Sequence, residues 1–102
     1  MDKIKKYSKL MFDEILDANM YMDMACKAKS SNEEIAEDFM EIAKQELHHK
    51  DILHKALKEY VEDYEDRNGK SVEMETILDF VADINSEMET PVISKMKAFD
   101  ID

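Results

Sequence analysis

A single glycine and a single proline in 102 residues leave this chain almost nothing with which to turn. Strand-and-hairpin architectures need turn residues at short, regular intervals, so an all-β fold is close to excluded. Long, uninterrupted helices remain. Hydrophobic residues make up 44% and charged residues 38%, a mixture that fits amphipathic helices and is too apolar for disorder.

The few breaking signals divide the chain into three helical segments. The first runs from about Lys3 to Lys29 and ends at Ser30-Ser31-Asn32, residues that favour turns and caps. Ser31 and Glu34 have capping-box spacing, which predicts a second helix starting near Asn32 or Glu33. That helix should reach about Glu65 and stop at Asp66-Arg67-Asn68-Gly69, where Asn and Gly suit a left-handed cap. A third helix should run from after Ser71 to about Met88, with Thr90-Pro91 kinking it or starting a short final helix. The expected organisation is one domain over 1–102. A helical hairpin occupies 1–66, and a third helix with its tail occupies 71–102. Two helices of roughly 40 and 50 Å joined by a short loop should pair antiparallel. They cannot enclose a core alone, so the third helix, a second copy of the chain, or both must cover them.

Charge narrows the function. Twenty-five acidic against 14 basic residues leave a net charge of −11, which argues against nucleic acid or an anionic membrane as partner and is compatible with gathering cations. The lone cysteine, Cys26, excludes an intrachain disulfide and a multi-cysteine metal knuckle. No stretch approaches a membrane span, and the charged start, Met1 to Lys6, is unlike a signal peptide. A cytoplasmic location is expected.

Projected at 100° per residue, the second helix carries Ile35, Phe39, Ile42, Ala43, Leu53, Leu57, Tyr60, Val61 and Tyr64 on one stripe. Glu46 falls at its centre and His49 on the same side, whereas His48 points away and His54 lies at the edge. The first helix carries Tyr7, Leu10, Met11, Ala18, Tyr21, Ala25 and Ala28, with Glu14 inside the stripe. Its other side holds a second apolar group, Phe12, Ile15, Leu16, Met22 and Cys26. The third helix shows Met74, Ile77, Leu78, Val81, Ile84 and Met88, and is expected to bring no carboxylate to the core; its acids read as a solvated face. The methionines read as core and interface filler. An ionised carboxylate in a bundle core costs several kcal/mol unless paired or metal-bound. Glu14 and Glu46 have no facing cation except Lys50, the nearest on the stripe. A divalent metal bound by these carboxylates and the His49 imidazole would relieve that cost.

Glu14, then Tyr21, then Glu46-x-x-His49 resembles the half-site pattern of ferritin-like di-iron carboxylate proteins. The run Tyr21 to Lys29, followed by Ile35-Ala36, Phe39, Glu41 and Ala43, resembles the first helical hairpin of a rubrerythrin, over Leu10 to Leu57. The resemblance implies an all-α fold, a ferritin-like four-helix bundle completed by dimerisation of the hairpin. It implies metal ligands Glu14, Glu46 and His49, with Tyr21 donating to a ligating carboxylate from behind. One copy of the motif is half of the usual ligand set. Two chains would supply four carboxylates and two imidazoles, the complement of a di-iron site, an arrangement similar to that of the short encapsulated ferritins. The shell-targeting Gly-Ser-Leu element of those proteins has no counterpart in Lys97 to Asp102, and the four-cysteine centre of rubrerythrins has none here either.

The expected activity is oxidation of ferrous iron by peroxide or oxygen, ferroxidase- or peroxidase-like, at a site shared between subunits. The expected cofactor is iron, with manganese or zinc as substitutes. The expected partners are a second copy of the chain and an external electron donor. The alternatives are a non-catalytic metal-binding or iron-storage accessory protein, and a metal-free helical oligomerisation protein whose acids pair with Lys50 or stay protonated.

Overall fold

The computed structural model describes residues 2–101 and, of Ile101, the backbone alone. The protein is all-α, with helices α1 (Asp2–Ala28), α2 (Glu33–Asn68) and α3 (Val72–Ile101). They form a rod of 56 × 18 × 17 Å. The chain reverses twice, so α3 runs parallel to α1, and Met11 and Asn19 of α1 meet Asn85 and Lys95 of α3.

The first reversal is capped by Asn32 rather than Ser31. The Asn32 side chain accepts the Ile35 N–H at 3.1 Å, while the Ser31 hydroxyl donates backward to the Ala28 carbonyl. Either residue type can fill an N-cap. Here the backbone N–H groups of Ser31 and Asn32 both close on Ala28, which leaves Asn32 at the extended position preceding the helix. Helix α2 continues to Asn68, past the expected end. Gly69 has φ 86 and ψ 167: its φ is positive, as anticipated, but its ψ is extended, not left-handed helical. Only glycine occupies this region without strain. The Ser71 hydroxyl accepts the Met74 N–H to cap α3, and the Glu65 carboxylate accepts the Ser71 N–H at 2.7 Å.

Helix α3 passes through Pro91 to Ile101, so no separate final helix begins there. Pro91 cannot donate to the Glu87 carbonyl. Both residues are exposed, so that carbonyl loses its partner on the side where solvent can replace it.

Two apolar clusters make the core. One joins Ile15, Ala18, Met22 and Ala25 of α1 to Ala36, Met40 and Ala43 of α2 and Val92 and Phe99 of α3. The other joins Ile4 and Met11 to Leu57 and Val61 and to Met74 and Val81. Each fully buried Ile, Leu, Met or Val contributes roughly 1.5–3 kcal/mol. The helical phases differ from the stripes drawn on the sequence. Ile15 and Met22, assigned to the back of α1, are at the centre of its buried face, whereas Leu10, Leu16, Ile35 and Tyr64 are exposed, as is Cys26. Between the clusters lies a polar layer at mid-length: Glu14 on α1, Glu46 to Lys50 on α2, and Asn85 to Glu89 on α3.

Candidate metal centre

Glu46 and His49 are three residues apart, nearly one turn, and therefore project to one side of α2. The antiparallel hairpin brings Glu14 opposite them. One carboxylate oxygen from each glutamate and one imidazole nitrogen of His49 lie within 4.8 Å of one another. Among the described residues no other three His, Cys, Asp or Glu side chains converge in this way. His49 Nδ1 stands 3.6 Å from Glu14 Oε2, too far for a hydrogen bond. That oxygen is buried and has no hydrogen-bond partner. The Glu46 carboxyl is pushed above the usual carboxylate range, chiefly by the Glu14 carboxylate as its hydrogen-bond neighbour, then by burial and by repulsion from Glu14. His49 pulls it the other way. Two acids thus crowd one space with no strong cation between them.

The cluster opens on one flank. The His49 side chain is 53% exposed and that of Glu14 25%. Leu10, one turn before Glu14, and Ile35, three turns before Glu46, are exposed on the same flank. Helix α3 lies elsewhere: Lys95 reaches Asn19 and Asp23 of α1, each at 2.7 Å. Asn19 is five residues on from Glu14 and hence about 140° round the helix from it.

Tyr21 is two turns from Glu14 on the same side and packs on Phe39, with ring centroids 6.3 Å apart. Among the described residues its hydroxyl makes no hydrogen bond to Glu14 or Glu46. His48 is exposed and His54 half-buried, and neither joins the cluster.

Lys50 does not serve the two acids. It is 93% buried, and its ammonium pairs with Glu89 of α3 and with the neighbouring Asp51. Burial alone would lower its pKa, but hydrogen bonds to Asp51 and Glu89, with their charges, raise it. The expectation that α3 brings no carboxylate inward is therefore corrected by Glu89, whose side chain is 19% exposed. The signal was present in the sequence: Asn85, Glu89 and Val92 are spaced by four and three, one helical face. Asn85 is itself buried, its Nδ2 4.0 Å from Met11 Sδ, and its Oδ1 has no partner.

Two carboxylates and an imidazole, one oxygen orphaned, are the donor chemistry that a first-row divalent ion such as iron, manganese or zinc accepts. Three side chains fall short of the ligand complement of a two-metal bundle site, so the donors fit half of such a centre.

The rubrerythrin family profile matches residues 10–98. The match takes in Glu14, Tyr21, Glu46 and His49 and reaches beyond Leu57 through most of α3. No curated protein and no solved structure matched. A family profile covering the hairpin, its carboxylate–imidazole cluster and the helix packed behind it leaves one conclusion, that this chain belongs to the rubrerythrin family.

Proposed function

We propose that the protein is a di-iron carboxylate oxidoreductase that oxidises ferrous iron with peroxide or oxygen, using a site assembled from two copies of the chain. The observation that carries this reading is the convergence of Glu14, Glu46 and His49 with a buried, unpartnered carboxylate oxygen. Buried acids left in that condition are costly without a compensating cation. When bound there, a pair of ferrous ions supplies two electrons, which with two protons reduce hydrogen peroxide to two waters. Glu14, Glu46 and His49, whose donor atoms lie within 4.8 Å of one another, would hold the ions. Carboxylates can change from one-oxygen to two-oxygen binding, so Glu14 and Glu46 can follow a change of metal charge without moving the helices. Tyr21, stacked on Phe39, stands two turns from Glu14 on the loop side of the site.

The open flank supports sharing. One chain offers two carboxylates and one imidazole, and a second hairpin against Leu10, His49 and Ile35 would double that set while covering the apolar surface beside it. The second chain and an external electron donor are the partners proposed, and the cytoplasm is the proposed location. No helix among the described residues is long and apolar enough to cross a membrane.

The test joins mass to chemistry. Anaerobic protein is loaded with two ferrous ions per subunit pair, then mixed with peroxide or oxygen and followed by absorbance, with subunit mass from light scattering. Oxidation faster than in buffer, by a dimer or larger assembly, is the expected result. Metal binding without accelerated oxidation would indicate an accessory or storage role. A stable metal-bound monomer would refute the shared site.

A further inference from the structure

Lys50 should by rights pair with Glu46. A glutamate four residues before a lysine on a helix is the favoured orientation for an ion pair, and Glu46 is already crowded by a second carboxylate. Yet among the described residues no ion pair joins Lys50 to Glu46 or Glu14. The ammonium is drawn to the other side of the polar layer, where Glu89 of α3 and Asp51 hold it. Asp51 is 65% exposed and so weakly held. Glu89 is the less exposed partner, its side chain 19% exposed, and its neighbour one turn back, Asn85, is buried.

We infer that Glu89 is a positioning residue that keeps the Lys50 ammonium off the metal-ligand carboxylates, so that Glu14 and Glu46 stay free for a divalent cation. This inference rests on the metal reading of the Glu14–Glu46–His49 cluster. A lysine one turn from two clustered acids would otherwise compete with metal as an internal counter-ion, since the ammonium and a divalent ion are both cations drawn to the same carboxylates. Removing the Glu89 charge frees Lys50 to swing across one turn of α2 and neutralise Glu46. A role for Glu89 in stability alone makes no such demand, because its loss would then act on folding whether or not Lys50 carries a charge.

The test is a double-variant cycle on the full chain, with cobaltous ion titrated by calorimetry and folding checked by circular dichroism. Glu89→Gln should weaken cobalt binding at least about tenfold, a lower bound for a unit charge brought within a few ångströms of the ligands at an effective dielectric of about 20. Lys50→Met in the Glu89→Gln background should return the affinity to the native value, because the competing ammonium is gone. Glu89→Asp, which withdraws the carboxylate by one methylene, should give a smaller loss in the same direction and serves if Glu89→Gln does not fold. Native affinity in the folded Glu89 variants would overturn the inference, as would a double variant as weak as Glu89→Gln. No cobalt binding by the native chain would overturn the metal reading itself, a result distinct from both.

Discussion

Two groups of charge share the polar layer at mid-length, and they are built differently. On the α3 side, Lys50 and Glu89 match one positive charge with one negative, with Asp51 as a further, exposed anion. On the open side, Glu14 and Glu46 set two acids against each other, with only a half-exposed histidine beside them. The first group is complete within one chain. The second is short of a cation and, for a two-metal centre, short of ligands. The second arrangement adds no stability to the fold, because half-buried carboxylates crowded together without a cation weaken it. The contrast separates a charge-matched group that links α2 to α3 from an acid-rich one with no cation of its own among the described residues.

The contrast can be broken most decisively at the ligands. His49→Ala and Glu46→Ala should each weaken divalent-metal binding by at least about 100-fold, more than the loss typical of residues that only support a ligand. His48→Ala, pointing away on the same helix, should bind as the native chain does. Equal losses for His48→Ala and His49→Ala in a calorimetric titration would place the site on another face. In the iron assay, Glu46→Ala should remove activity more completely than Tyr21→Phe.

Next in size are opposite effects on stability. Lys50→Ala should cost about 3 kcal/mol in urea denaturation, since it strands the Glu89 carboxylate in the interior. Glu14→Gln, measured with a chelator present, should instead stabilise the chain by up to about 1 kcal/mol by relieving like-charge repulsion. Adding metal should reverse that order, because only the native site gains binding free energy. Destabilisation of the metal-free chain by Glu14→Gln would mean that the acids are satisfied without metal.

The smallest effect sharpens the comparison with a third pair. At the α2–α3 turn, Glu65 accepts the Ser71 N–H and is held below the usual carboxylate range, first by that bond. Glu75 is pushed above it, first by hydrogen bonding with Glu65. A raised native pKa means that the Glu75 contribution is fully present below the usual carboxylate range and is lost as pH rises through the raised value. Glu75→Gln should therefore be slightly more stable than the native chain at neutral pH, and the gain should vanish in acid. Thermal melts across that range with an unchanged difference would show that the two carboxyls do not share a proton. Both face solvent, so this pair needs neither a lysine nor a metal, unlike the pair inside.

The Glu14–Glu46–His49 cluster was legible because it is local. Glu46 and His49 are three residues apart, and Glu14 lies on the facing side of a hairpin whose short turn fixes the register. The Lys50 partnership was not legible from the hairpin. Lys50 is one turn from Glu46 and read naturally as its counter-ion; only the course of α3 offers Glu89 as a better one. The shifts in helical phase have a similar origin. Leu10, Ile35 and Tyr64 are apolar enough for a core and read as one, but they are exposed on this chain. Ile15 and Met22, the second apolar group of α1, are buried because α3 covers that side, one of the two coverings the sequence allowed.

The amino-acid order by itself determined that this protein is helical, where it reverses, and which acids and histidine share a helical face, because turns, caps and periodicity act over a few residues. The passage of α3 through Pro91, the exchange of Ser31 for Asn32 as cap, and the pairing of Lys50 with Glu89 were decided only in three dimensions. The cap was settled by local backbone bonds to Ala28, whereas the Lys50–Glu89 pair depends on which of several chemically acceptable partners the packing of α3 delivers.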